Sequence, residues 1–220
     1  MSHQSAPTQA RNRSAGLVNS PALLRVHNLT RRGNGPFNFD ICAGECIAIT
    51  GASGSGKSVL LRMVADLDQS EGDVLLDEVS RNSWPAPAWR KMVTYQAAEP
   101  AWWERTLREH LTPQHIPQAE HLLSRLRLTP ALLDSDLVRL STGERQRLAL
   151  IRSLVARPRV LMLDEPASAL DMAAVSAMED VLQEHLQEGM SMLLVTHSME
   201  QAARLGHRQM RMDSGRLVPA

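Results

Sequence analysis

Gly51-Ala52-Ser53-Gly54-Ser55-Gly56-Lys57-Ser58 decides how the rest of this chain reads. It follows an apolar run, Cys46-Ile47-Ala48-Ile49-Thr50, and leads into Val59-Leu60-Leu61-Arg62-Met63-Val64. Strand, glycine-rich turn and helix start form the setting that a phosphate-binding loop requires. Gly51, Gly54 and Gly56 permit backbone angles that a Cβ forbids, so successive N–H groups can curl around a phosphate. Ser53, Ser55 and Val59 add N–H groups to that cradle, and the positive end of the following helix reinforces it. Lys57 is placed to reach the β- and γ-phosphates of a nucleotide, and Ser58 can offer its hydroxyl to Mg²⁺. A Gly/Ser surface loop is the bland alternative, and the flanking strand and helix count against it.

The 220 residues can bury a full core, as one domain or one domain with a subdomain. Lys plus Arg, 24, equals Asp plus Glu, 24, so the formal net charge is zero and no strong pull on nucleic acid is implied. Cys42 and Cys46 flank Ala43-Gly44-Glu45; one pair with no histidine close by in sequence argues against zinc, and both read as ordinary buried thiols. No run approaches the roughly 18 apolar residues of a membrane span. Residues 1–20 are polar, lack a signal-peptide core and read as a disordered tail, so a soluble, cytoplasmic protein is expected.

Partial alternation marks Leu23–Leu29 and Phe37–Ile41 as half-buried strands, with a turn cluster at 32–36 between them. Asp73–Leu76 reads as another short strand, which suggests a small antiparallel layer beside a parallel sheet. From about 100 to 157 the character is helical, with expected helices at Trp102–Leu111 and Gln118–Leu128 punctuated by Pro113, Pro117 and Pro130. Val160-Leu161-Met162-Leu163 and Met192-Leu193-Leu194-Val195-Thr196 are continuous apolar runs, as expected of parallel strands buried on both faces. Met172–Glu188 reads as a helix and Gln209–Met212 as a final strand. The alternation gives an α/β fold, in which ligands bind at the carboxyl ends of the strands.

Asp164, Glu165 and His197 fall at such ends. Asp164 is suited to hold Mg²⁺ opposite Ser58, and Glu165 to polarise a water aimed at the γ-phosphate. The alternative for the pair is an acidic cap on the next turn. His197 can hydrogen-bond a γ-phosphate oxygen or the attacking water, or serve structure alone.

Leu140-Ser141-Thr142-Gly143-Glu144-Arg145-Gln146-Arg147 resembles the signature segment of ATP-binding cassette (ABC) ATPases. Leu161–Pro166 is similar to their Walker B strand, Ser168-Ala169-Leu170-Asp171 to their D-loop and Thr196-His197 to their switch histidine. With the phosphate loop as Walker A, the motifs follow the family's order over about residues 23–218. The resemblance implies a P-loop NTPase of ABC type over 21–220: a mostly parallel central sheet, a small antiparallel β layer and an inserted helical subdomain at about 100–157. It further implies a Mg-dependent ATPase whose ATP-bound homodimer pairs one phosphate loop with the other copy's Ser141, Gly143 and Glu144. An integral membrane permease is the implied partner, which would place the chain peripherally on the cytoplasmic face of the cell membrane.

Three positions depart from the family pattern. No aromatic residue stands in Leu29–Asn34 to stack on adenine, which leaves an arginine or Phe37. The Q-loop contact to Mg²⁺ falls on Glu99 or Gln96. Thr142 replaces a signature glycine, and its β-branch narrows backbone freedom. The paired Trp102 and Trp103 mark either core or a partner groove. The spacing of His110, His115 and His121 fits no single helix face, so a packing or solvated role is expected of them. The chain looks most like small ATPases of iron export; the runner-up is a soluble ABC ATPase that drives a cytoplasmic assembly such as iron–sulfur cluster building.

Overall fold

The computed structural model describes residues 21–220, and the tail expected over 1–20 lies outside the described residues. In chain order the strands are β1 (Ala22–Arg31), β2 (Asn34–Cys42), β3 (Cys46–Thr50), β4 (Glu71–Leu76), β5 (Val79–Ser80), β6 (Val93–Gln96), β7 (Val160–Asp164), β8 (Ser191–Val195), β9 (Arg208–Asp213) and β10 (Arg216–Pro219). The helices are α1 (Lys57–Val64), α2 (Ala86–Met92), α3 (Ile116–Arg125), α4 (Thr142–Val155), α5 (Met172–Gln187) and α6 (Met199–Leu205). A four-stranded antiparallel sheet runs β2-β1-β4-β5. A six-stranded sheet runs β10-β9-β3-β8-β7-β6, parallel except for the β9–β10 hairpin.

The continuous apolar runs are explained by burial on both faces. Val160 and Met162 of β7 pack with the antiparallel layer and α1, together with Ile47, Ile49, Leu193 and Val195. Leu161 and Leu163 point the other way, with Met192 and Leu194, into a cluster shared with α3, α4 and α5. Because side chains alternate along a strand, both halves of the run are needed to fill both layers. Register then brings the carboxyl ends level: Asp164 pairs with Val195 and Ile49 pairs with Val195 from the other side. Thr196 extends this edge, its N–H donating to the Ile49 carbonyl at 3.2 Å.

Between β6 and β7 the chain forms α3, α4 and several single turns of 3₁₀ helix. The expected helix at Trp102–Leu111 is replaced by an irregular loop with one 3₁₀ turn, Arg108–His110. Side chains have taken its backbone donors: the N–H groups of Trp103 and Glu104 donate to His110 Nε2, and those of Arg105 and Thr106 donate to Glu109 Oε2. Those bonds hold Glu109 below the usual carboxylate range, the bond from the Thr106 backbone first. Pro117 sits in the first turn of α3, where a missing N–H costs nothing. Cys46 is fully buried, whereas Cys42 is only partly so, against the expectation of two buried thiols. Burial pushes both thiols up.

Candidate ATP site

β3 delivers the chain to Gly51 at the level edge of the parallel sheet. Gly51 has φ 143° and lies so close to the Met212 carbonyl of β9 that a Cβ would collide with it. Gly56, φ 107°, lies equally close to the Asn34 side chain, while Gly54, φ 74°, faces open space. The turn between β9 and β10 buttresses the loop from outside: the Gly215 N–H donates to the Ser55 carbonyl at 3.1 Å, and the Gly35 N–H donates to the Gly215 carbonyl at 2.7 Å. Lys57 is 5% exposed and bends back over the loop, donating from Nζ to the carbonyls of Gly51 (2.9 Å) and Ala52 (2.8 Å). Helix α1 starts at Gly56 with no side-chain cap and no acid in its first turn. Its first N–H groups and its positive end therefore remain available to an anion. Ser53 and Ser58 are exposed on the loop, and Val59 is half-buried behind them.

At the end of β7, Asp164 is 5% exposed and accepts a hydrogen bond from Tyr95 Oη at 3.0 Å. Burial, and then the charge of Asp164, push the Tyr95 phenol well above its ordinary value, so it stays a neutral donor. Among the described residues no basic side chain pairs with Asp164. A buried carboxylate without a cation fits a hard divalent metal, and the exposed hydroxyl of Ser58 supplies a second oxygen. Glu165 follows at φ 49°, its N–H anchored on the Val195 carbonyl at 2.9 Å. Its Oε1 lies 2.6 Å from His197 Nε2. Both residues open onto a cavity of about 560 Å³ between α5 and α6.

Gln96 and Glu99 part company. Gln96 closes β6, opposite Leu163, but is buried, and its Oε1 accepts from Ser153 Oγ of α4 at 3.1 Å. Glu99 is exposed, three residues beyond the strand, on a groove with Trp102, Val138, Thr142 and Arg145. Gln96 is therefore the strand-end residue beside the Asp164 strand, with its amide turned into the helical layer. Phe37 is 1% exposed within the antiparallel layer and cannot meet a base. Of the arginines before it, Arg31 is paired with Asp68 at 3.2 Å, while Arg32 is exposed on the β1–β2 turn.

Ser141 caps α4, with Thr142 in its first turn. Ser141 Oγ accepts from the Glu144 N–H at 3.2 Å, and the Glu144 carboxylate accepts from Ser141 N–H (2.9 Å) and Oγ (2.7 Å). This capping box holds Glu144 below the usual carboxylate range, the Ser141 hydroxyl first. Gly143 abuts the 166–171 loop: a Cβ there would lie 2.7 Å from the Ala169 carbonyl. Among the described residues no hydrogen bond joins Ser141, Gly143 or Glu144 to the phosphate loop. One participant was not singled out from sequence: Gln146, 3% exposed, bonds both the 166–171 loop and the loop after β6. Its place on the helix behind a capped start was the only available signal.

The family model described as "ABC transporter" matches residues 35–168. The chain belongs to the ABC transporter family. It is 36% identical over 218 residues to the aliphatic sulfonates import ATP-binding protein SsuB 2 of Mesorhizobium japonicum, covering 92% of this chain and 82% of the relative. It is 37% identical over 196 residues to the lipoprotein-releasing system ATP-binding protein LolD of Acinetobacter baylyi, covering 81% and 85%. The putrescine transport ATP-binding protein PotG of Escherichia coli is 34% identical over 212 residues, 89% of this chain and 56% of PotG. A solved ATP-binding subunit of an ABC transporter superposes with TM-score 0.80 at 24% identity, covering 89% of this chain and 88% of that one, and shares the fold. As an ABC ATP-binding subunit, the chain binds and hydrolyses ATP and pairs with a membrane permease. No helix of the described residues is long and apolar enough to cross a membrane.

Proposed function

We propose that the chain energises a separately encoded permease as an ATP-bound homodimer on the cytoplasmic face of the cell membrane, and that the residues above carry the hydrolysis. The observation that carries this reading is the convergence of Glu165 and His197 from adjacent strand ends, 2.6 Å apart and beside the buried Asp164. The phosphates of ATP lie over the uncapped start of α1, within the N–H groups of residues 51–59. Lys57 exchanges its two loop carbonyls for phosphate oxygens. Ser58 and Asp164 would hold Mg²⁺, with Gln96 the nearer of the two Q-loop candidates; Mg²⁺, when bound, offsets charge on the β- and γ-phosphates. Glu165 orients the water and takes its proton as the water oxygen bonds to the γ-phosphorus and the bond to the leaving β-phosphate oxygen breaks. His197, released from Glu165, donates from Nε2 to a γ-phosphate oxygen.

Ser141 and the N–H of Gly143 serve the site of a second copy, since among the described residues no hydrogen bond ties them to their own chain's phosphate loop. Adenine stacks on Arg32, whose planar guanidinium suits a base face. The groove beside Trp102 and Val138, about 430 Å³, receives the permease. Val138 is 84% exposed and Trp103 69%, unusual for large apolar side chains. The relatives above are named for sulfonates, putrescine and lipoproteins, three cargoes served by similar ATPases. Those names lend no support to a metal or iron exporter, and cargo choice is assigned to the permease.

The test is a Glu165→Gln variant, purified with ATP and Mg²⁺ from detergent-solubilised cells. A dimer by size exclusion, with a multi-span membrane protein at stoichiometric yield, is the expected result. A variant that still releases phosphate at the wild-type rate would remove Glu165 as the base. Soluble partners alone would replace the transporter with an assembly ATPase.

A further inference from the structure

The loop after β6 and the loop after β7 are distant in sequence and share no strand pairing beyond their own ends, yet both are bonded to one side chain of α4. Gln146 Nε2 donates to Ser168 Oγ at 2.9 Å and to the Ala98 carbonyl at 3.3 Å, and Gln146 Oε1 accepts from the Ala169 N–H at 3.3 Å. The partners fix the orientation of the amide: a carbonyl can only accept and a backbone N–H can only donate. Ser168 is one bond from the site, its N–H donating to the Glu165 carbonyl at 3.2 Å. On the other side, α4 holds the 96–103 segment at two further points. Ser153 donates to Gln96, and Arg152 donates to the Ala101 carbonyl at 2.9 Å while its guanidinium lies over the rings of Trp102 (4.4 Å) and Trp103 (4.7 Å). Burial lowers the Arg152 pKa to about 10 and no acidic side chain among the described residues pairs with it, so this grip is a stack rather than an ion pair.

We infer that Gln146 is a positioning residue that joins the turn after Glu165 to the tryptophan loop, so that the two move as one body with α4. Among the described residues no other hydrogen bond holds α4 to the 166–171 loop, whose Ala167, Ala169 and Leu170 otherwise meet the helix layer by packing alone. The inference rests on the proposed role of Glu165 at the γ-phosphate, because the joint transmits a displacement only if nucleotide moves the turn after Glu165.

Two substitutions separate its halves. Gln146→Met keeps the length and removes every bond. Gln146→Glu keeps an acceptor for the Ala169 N–H and lets the Ser168 hydroxyl donate, but sets a carboxylate against the Ala98 carbonyl and breaks that link alone. The measurement is amide hydrogen exchange of the full chain in a Glu165→Gln background, with and without ATP and Mg²⁺, beside steady-state ATPase with Glu165 intact. With Gln146 present, ATP is expected to slow exchange in both 166–171 and 97–103. Adding Gln146→Glu should preserve the first response and abolish the second, with kcat within about threefold of wild type. Gln146→Met should also lower kcat about tenfold with KM for ATP within twofold; if it fails to fold, the glutamate variant decides alone. Persistence of the 97–103 response in Gln146→Glu overturns the joint, as does its absence when Gln146 is intact and 166–171 responds. No response in either segment with Gln146 intact overturns the nucleotide reading of the site and the joint with it.

Discussion

Two helices begin at the candidate site, and they begin in opposite ways. The first turn of α1 is left uncapped behind Gly56, and the ammonium of Lys57 folds onto carbonyls of its own loop. The first turn of α4 is closed by Ser141 and Glu144, which satisfy one another's backbone donors. Both positive ends can stabilise an anion, but at α4 the Glu144 N–H and the Ser141 hydroxyl are already engaged with one another's side chains. An open end can bind phosphate by itself. A capped end must first be given a reason to let go, and the γ-phosphate presented by a second copy would be that reason.

The sharpest way to break this contrast is at the open end. Lys57→Ala is expected to remove ATP binding by the isolated chain and to lower turnover by at least about 10²-fold, the usual cost of losing one charge-stabilising donor. A fluorescent-nucleotide titration beside a phosphate-release assay checks both. Unchanged nucleotide affinity would mean that α1 and the loop backbone suffice.

Gly143→Ala comes next. Its Cβ would meet the Ala169 carbonyl at 2.7 Å, so α4 or the 166–171 loop must shift, at a cost of about 1–3 kcal/mol. For a chain of this size that corresponds to a fall in Tm of roughly 2–12 °C, read by thermal unfolding. Ser141→Ala should destabilise α4 by about 1 kcal/mol, a single lost cap. It should leave ATP binding by the isolated chain unchanged while turnover falls. Weakened binding in the monomer would erase the distinction between the two helix starts.

The smallest effect is in acid. Glu144 titrates below its ordinary value of 4.5 because Ser141 bonds favour its charged form. Its contribution to stability is therefore full above that value and lost as pH falls through the lower folded-state one. Glu144→Gln should flatten the decline in urea stability between about pH 5 and pH 3 by a few tenths of a kcal/mol. An identical decline in wild type and variant would show that the box contributes nothing to the pH response.

What could be read from residues alone follows the same contrast. The phosphate loop, β7, β8 and the strand-end positions of Asp164, Glu165 and His197 are encoded locally, by glycines and by apolar runs whose burial on both faces leaves little choice. The capped end was less legible: Ser141 and Glu144 carry the spacing of a capping box, yet Glu144 reads as a ligand contact until its carboxylate is seen closed on Ser141. The loop at Trp102–Leu111 was misread as a helix because its N–H groups go to Glu109 and His110, side chains whose composition suits a helix equally well. Phe37 was offered to adenine because an aromatic was missing nearby, whereas alternation along β2 already turns it inward. The bonds of Gln146 join residues 48 and 22 positions away, a relation that no local pattern contains.

The buttress at Gly215 gives the phosphate loop a history as well as a shape. Ser55 leaves the ribosome some 160 residues before the glycine that braces its carbonyl, and β3 waits as long for its partner strand β9. Pairings so far apart along the chain form late, after much loop entropy has been lost. During synthesis the nascent chain thus carries its most recognisable motif in an unfinished state, unsupported on its outer side until the β9–β10 hairpin closes. Nucleotide competence would be acquired when the β9–β10 hairpin forms rather than when the motif emerges.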